Sequence, residues 1–347
     1  MAAAPGYETR AADAQGDRAR ILELWKMGFV HAGSPEAKLA WYYDRNPEGP
    51  PAVRFLVLSE GALPVGVATI GRRRMRDPGG EWVAGFLADF IVAPDHRGLF
   101  PALHLQREIL RHGTQEHRVL FGAPNRASEA VVKRAGYRRL GMLVRSVRVL
   151  RARSYLARWI PPWIATIAGA AADGVRLVGD ALRGMAYRKL HAEWMDAPDA
   201  SFDDLWQRTA ARANVIGVRD RSFLDWRFVK YPYARHRFLA VRGPAGKLLA
   251  YAVCHVEGPA LMVADFLCDP APEAQGAFEA LWLALAREGW ALGLRCFSVD
   301  FFGDPAVQDR LASAGLRPRA ERPVYTSAAG GLDDAGRWYV TAADEDA

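Results

Sequence analysis

The chain has 347 residues, with 46 Lys and Arg against 39 Asp and Glu, a net charge of +7 and a pI near 9.4. That length exceeds one small core and suits two domains of ordinary size. Half the residues are hydrophobic and a quarter charged, a globular, soluble composition. The basic excess fits an anionic ligand, a nucleic acid or an acidic membrane surface without choosing among them.

Residues before Tyr7 read as a loose tail, and no basic stretch followed by an apolar one marks a secretory signal. Apolar spacing at Ile21, Leu22, Leu24 and Trp25 predicts a helix over residues 17–30. A second short helix spans 35–43, opened by Pro35 and ended by Asn46-Pro47. Strands follow at 54–58 and 64–70, joined at Glu60-Gly61, then a longer one over 82–92. Between them Arg72, Arg73, Arg74 and Arg76 read as a solvated hairpin. After a break at Pro94 a helix opens near Phe100-Pro101. A short strand at 119–121, a helix over 127–134 that Asn125 is placed to cap, a stop at Gly136 and a strand over 137–150 complete the first part. Cys254, Cys268 and Cys296 lie in apolar runs without paired or metal-ligand spacing, as reduced core residues of a cytoplasmic protein.

The strand-turn-helix around Arg97-Gly98 is suited to an anion, because the first amides of a helix lack partners and its dipole favours negative charge. Asp89, on the strand before the turn, is the best-placed carboxylate for a general base; the competing reading is a buried carboxylate bonded to its neighbours. His96 and His104 flank the turn.

Residues 151–200 break the pattern. The run 159–172 is free of charge but, at fourteen residues with Pro161-Pro162, too short to span a bilayer, which takes about 20 apolar residues. It is expected as a linker helix packed between domains; the sharper alternative is a helix touching lipid through Trp159 and Trp163.

From about residue 201 the first half returns in outline. Leu39-x-Trp41…Pro47 reappears as Leu224-x-Trp226…Pro232, and Arg54-Phe55-Leu56 as Arg237-Phe238-Leu239. Ala88-Asp89-Phe90 reappears as Ala264-Asp265-Phe266, and the turn from Arg97 as one from Gln275. Matches in constant order at nearly constant offset predict two copies of one domain. The boundaries are 1–150, a helical linker over 151–200, and 201–347, the second copy degenerate.

The turn resembles that of the GCN5-related N-acetyltransferases, an Arg/Gln-x-x-Gly-x-Gly/Ala sequence between strand and helix. Arg97, Gly98 and Ala102 match, with Val92-x-Pro94 leading in, and Asn125…Ala135-Gly136-Tyr137 is similar to a later segment of the family. The resemblance implies an α/β fold, two tandem domains each with a mixed, mostly antiparallel sheet flanked by helices. It also implies acetyl-CoA or another acyl-CoA as donor, held by Val92, Arg97, Gly98, Leu99, Phe100, Ala102 and Asn125, with Asp89 as base and no metal. The family's glycine is Phe100 here and Phe278 in the second copy, Pro101 removes an amide donor, and the family's acid Tyr falls at Val132.

The resulting expectation is an N-acyltransferase acting on an amine of a small molecule, an amino sugar or cell-envelope precursor, with no DNA partner. The alternatives are an aminoacyl-tRNA-dependent transferase and a non-catalytic binding protein.

Overall fold

The computed structural model describes residues 6–28, 33–211, 215–327 and 332–345. The expected loose tail, the end of the first helix and the extreme acidic end lie wholly or partly outside them.

An edge strand β1 (Tyr7–Ala12), absent from the expected elements, opens the chain. It is followed by α1 (Arg18–Lys26) and α2 (Pro35–Leu39), the latter capped by Ser34 and running into one π-helical turn at Ala40–Asp44. Next come β2 (Ala52–Leu58), β3 (Pro64–Asp77), β4 (Gly80–Val92), α3 (Leu99–Glu116), β5 (Leu120–Gly122), α4 (Arg126–Ala135) and β6 (Arg138–Val149). Asn125 caps α4, its Oδ1 accepting from Ser128 N at 3.0 Å, and Gly136 ends it at φ +116°, where a side chain would be strained.

Two linker helices follow, α5 (Arg153–Leu156) and α6 (Pro162–Met185), then β7 (His191–Met195), α7 (Ala200–Ala210), β8 (Val215–Gly217) and α8 (Arg221–Leu224). A second π-helical turn lies at Asp225–Val229. The remainder is β9 (Arg237–Arg242), β10 (Leu248–Glu257), β11 (Ala260–Cys268), α9 (Ala277–Ala291), β12 (Cys296–Gly303), α10 (Pro305–Ser313), β13 (Arg317–Thr326) and β14 (Trp338–Thr341).

The strands form a single 14-stranded sheet rather than two separate ones. The last long strand of each half crosses to the other: β6 pairs with β12, β13 pairs with β5, and β6 and β13 pair with each other, all antiparallel. Strands β8 and β14 then bridge β3 to β12, so that β3, β4, β5, β13, β6, β12, β14 and β8 close a ring. Every strand of that ring feeds one apolar cluster, through Met75, Phe86, Phe121, Val324, Leu143, Phe302, Trp338 and Val215. The ring is therefore filled by side chains, and removing their apolar surface from water holds the two halves together.

The contact between halves is reciprocal. Trp41 and Trp226, each in a π-helical turn, stack with ring centroids 4.8 Å apart. Trp41 Nε1 donates to Trp226 O at 2.8 Å, and Trp226 Nε1 donates to Trp41 O at 3.0 Å. The recurrence of Leu-x-Trp is thus a packing device, since each buried indole donor is satisfied by the backbone of the other half.

The arginines of β3 correct the solvated-hairpin reading. Arg73 is buried, with Nη2 2.8 Å from Asp344 and Nη1 donating to Val218 O at 3.0 Å; Arg74 pairs with Asp220 at 2.6 Å. They tie β3 to the second half. In the expected linker, α6 meets β6 of the first half, through Asp180 and Arg148, and α9 of the second, while Trp159 and Trp163 stand in solvent.

Candidate functional site

Strand β4 runs parallel to β5 only at Gly85–Leu120 and Phe86–Phe121. Beyond those residues the strands part. The pairing of β4 with β3 also slips between Val67 and Thr69, and Asp89 opposite the slip has φ +51°. A non-glycine residue with a backbone on that side of the map costs on the order of 1–3 kcal/mol and persists only where its surroundings fix it. Here they do. The buried Asp89 carboxylate accepts from Lys38 Nζ at 2.7 Å, Tyr43 OH at 2.8 Å and Thr69 Oγ1 at 3.3 Å. Burial, then the Asp89 charge, pushes the Tyr43 hydroxyl well above its ordinary range, so it remains a donor.

Where β4 and β5 part lies a cavity of about 200 Å³. Its walls come from β4 (Ala88, Asp89, Phe90), from α3 (Gln106), from the chain after β5 (Ala123, Pro124, Asn125) and from α4 (Ser128, Val132). Arg322 of β13 and Glu345, beyond β14, close one side. Two buried atoms at this cavity have no hydrogen-bond partner among the described residues: Gln106 Oε1 and Glu345 Oε1. The other Glu345 oxygen is 2.7 Å from Arg322 Nη2. Burial raises the Glu345 carboxyl, and the neighbouring arginine only partly opposes it. A carboxylate with a free oxygen and a raised pKa, in a cavity, is chemically equipped to take a proton.

The turn stands at the end of β4. Gly98 is extended, with φ −155°, and the helix α3 starts at Leu99. The amides of Leu99 and Phe100 therefore open the helix with no earlier helical carbonyl to bond. Phe100 is 66% exposed and lies on the surface, its ring parallel to His104 at 6.2 Å and tilted against Tyr7 at 6.4 Å, so it is not folded into the protein. Pro101 is buried in the first turn. Ala102 N reaches Gly98 O only at 3.4 Å.

Arg97 differs from its expected role as a cation facing an anion. Its Nε donates to Val92 O at 3.2 Å and its Nη2 to Met27 O at 3.2 Å, so the guanidinium fastens the turn to β4 and to the end of the first helix. His96 Nδ1 lies 3.1 Å from Tyr7 OH, another contact inside the protein. Of the residues singled out in the sequence, Asp89 and Asn125 line the cavity, whereas Val92, Arg97, Gly98, Leu99, Phe100 and Ala102 lie from the end of β4 to the first turn of α3 and are not among its walls.

Gln106, Ser128, Arg322 and Glu345 had no signal in the local sequence. The last two arrive through the strand exchange and the chain following β14, and nothing near Asp89 announces them.

The second half treats its corresponding opening differently. Strands β11 and β12 pair from Ala260–Cys296 to Val263–Val299 and then part. Strand β14 pairs with the freed end of β12, at Phe301–Gly303, and Tyr339 OH donates to Phe266 O of β11 at 2.6 Å. Phe278 is 3% exposed and packs on Phe266 and Trp282. A side chain at Gly276 would meet the Tyr187 ring at 2.7 Å. A cavity of about 220 Å³ persists nearby, walled by Phe266, Phe278, Trp338 and Tyr339. Asp265 is buried in a charge network, with Arg219 Nε at 3.0 Å and Thr341 and Tyr251 hydroxyls at 2.7 and 2.9 Å.

No family model matches the sequence, and no curated protein matches it. Solved structures do share its fold. A GCN5-related N-acetyltransferase from Anabaena variabilis superposes with a TM-score of 0.65 at 14% identity, over 92% of this chain and 72% of that one. N-myristoyltransferase from Saccharomyces cerevisiae with bound myristoyl-CoA gives 0.55 at 10% identity, over 94% and 83%. A tandem protein of the same superfamily from the clavulanic acid biosynthesis pathway gives 0.52 at 13% identity, over 94% and 99%. The chain has the fold of the GCN5-related N-acetyltransferases.

Proposed function

We propose that this protein is an N-acyltransferase that takes an acyl group from acyl-CoA and passes it to an amine of a small molecule, using the opening between β4 and β5 in the first of two tandem domains. The observation that carries this reading is the cavity itself: strands that part ahead of the start of α3, with buried Gln106 and Glu345 oxygens left without partners among the described residues. A buried polar atom without a partner is costly, on the order of 1–3 kcal/mol, and a ligand that bonds it removes that cost.

In this reading the Leu99 and Phe100 amides meet the donor's pyrophosphate, Gln106 accepts from an amide of its arm, and the exposed edge of β4 lies along that arm. Asp89, expected as the base, is instead a positioning residue: its carboxylate is engaged by Lys38, Tyr43 and Thr69 and fixes the bend of β4. Glu345 takes the proton from the acceptor ammonium. The amine nitrogen then attacks the thioester carbon, a C–N bond forms, the C–S bond breaks, and the second nitrogen proton passes to the departing sulfur, so that CoA leaves as the free thiol. A thiol titrating near 8.5 leaves without a strong acid, which suits the apolar Val132 where the family's tyrosine would stand. Holding amine and thioester together supplies much of the acceleration.

Acceptors to try first are amino sugars and amine-bearing cell-envelope precursors. The test is release of free CoA thiol from acetyl-CoA and longer acyl-CoAs across a panel of such amines. Amine-dependent release supports the proposal, whereas failure of every acyl-CoA to bind rules it out.

A further inference from the structure

Helix α6 is built inside out. Its two acidic residues turn toward the protein: Asp173 is buried and accepts from Ala152 N at 2.9 Å, and Asp180 accepts from Arg148 Nη2 at 2.7 Å, while Arg176 and Arg183 are exposed. Its apolar residues turn to solvent. Trp163, Ile167, Val175, Val178, Leu182 and Met185 are each 58–74% exposed, and Trp159, just ahead of the helix, is 87% exposed. Spacings of three, four and eight residues put these on one face of a 24-residue helix, about 36 Å long at 1.5 Å per residue. A soluble protein folds such a helix the other way round, so this face is matched to an apolar covering.

Charge says what covers it. Residues 151–190 hold seven basic residues against two acidic ones, a surplus of five in a chain whose whole surplus is seven. Both acids are the inward-facing aspartates. Arg153 and Arg158 lie before the helix; Arg183, Arg188 and Lys189 lie at and beyond its last turn, all exposed. A second copy laid against this face about a twofold axis would bring like charges together. The geometry points instead to the surface of an anionic lipid bilayer. We propose that α6 lies in the plane of such a surface, with its apolar face among the upper acyl chains, Trp159 and Trp163 at headgroup level, and the flanking arginines and Lys189 on lipid phosphates. Among the described residues no helix is long and apolar enough to cross a membrane, so the contact is peripheral.

The test is co-sedimentation of the full-length protein with phosphatidylcholine vesicles, with and without about 30 mol % phosphatidylglycerol, at low and high salt. The protein should bind the anionic vesicles at least tenfold better than the neutral ones, and salt should weaken that binding. The combined variant Trp163→Ser, Ile167→Ser, Val178→Ser should lose tenfold or more, with an unchanged melting curve because the side chains removed are exposed. Should that variant lose its fold, Arg188→Glu with Lys189→Glu, which removes no apolar contact, should lower binding to anionic vesicles by the same readout. The proposal is overturned if the intact protein ignores anionic vesicles, if a folded variant binds them undiminished, or if light scattering finds a dimer that the triple variant makes monomeric. None of these outcomes depends on acyl transfer.

Discussion

Beyond Phe86 the first half leaves β4 and β5 apart around a cavity, while beyond Val263 the second half lets β14 in beside β12 and bonds Tyr339 to Phe266 O. The same contrast holds at the turns. Phe100 is exposed at the start of α3, whereas Phe278 is buried and Tyr187 lies over Gly276. One half therefore shows with its own residues how such an opening is satisfied: a strand, a hydroxyl on a strand carbonyl and an aromatic cover. The other half offers the same edges to something else. A sheet that parts is a structural liability unless filled, because strand edges carry unpaired donors and acceptors.

The sharpest way to break this comparison is to loosen the plug. Asp344, just after β14, pairs with Arg219 at 2.6 Å and Arg73 at 2.8 Å, all buried. Arg219→Met leaves Asp265 and Asp344 buried without their shared cation and should cost about 3–5 kcal/mol in urea unfolding. Burial pushes Asp344 up, but Arg219 and Arg73 outweigh it and hold its pKa below the usual range. Its contribution is therefore present above the unfolded carboxylate pKa and is lost as pH falls through the depressed folded value.

Next in size, Glu345→Gln should lower kcat about 10²–10³-fold while donor affinity stays level, as expected for loss of a general base. Equal losses in donor affinity and kcat would mean that Glu345 only shapes the cavity.

A pH effect should separate the halves. Burial, with His255 and Arg227, lowers His236 to about 3, so it is neutral when folded. As pH falls below the unfolded histidine value of about 6.5, the unfolded chain takes up a proton that the folded one refuses, and stability falls by up to roughly 1.4 kcal/mol per pH unit. The repeat places Val53 at the equivalent position of the first half, and His236→Val should flatten this part of the stability–pH curve.

The smallest effect is one that both halves share. Asn125 caps α4 and Asp304 caps α10, and alanine at either should cost about 1 kcal/mol in thermal or urea melts. Unequal losses would show that the Asn125 side chain does more than cap.

Much of this was legible in the residues. Alternation and turn chemistry placed β2 to β6 and α3 to α4, because local pattern determines local elements. The recurrence of Leu-x-Trp located what proved to be the reciprocal Trp41–Trp226 contact. Strand exchange was not legible, since β6 and β13 have the same pattern whichever partner they take. Glu345 was hidden for the same reason: its position depends on a ring closed by pairings hundreds of residues apart. Arg97 shows the opposite failure. The turn lies between strand and helix as expected, but two backbone carbonyls within reach claimed the guanidinium, a competition no spacing reveals.

The central claim is that the first half leaves its strand edge and its turn free for a donor, whereas the second half, which keeps a cavity of about 220 Å³, has covered both with β14, Tyr339 and Tyr187. Calorimetric titration of the intact protein with acetyl-CoA measures this by stoichiometry. The account predicts one site per chain, with affinity reduced tenfold or more by Ala123→Trp, which fills the first cavity, and unchanged by Gln275→Ala in the second turn; tenfold is about 1.4 kcal/mol. Two sites per chain, or a single site lost with Gln275→Ala and kept with Ala123→Trp, would contradict it.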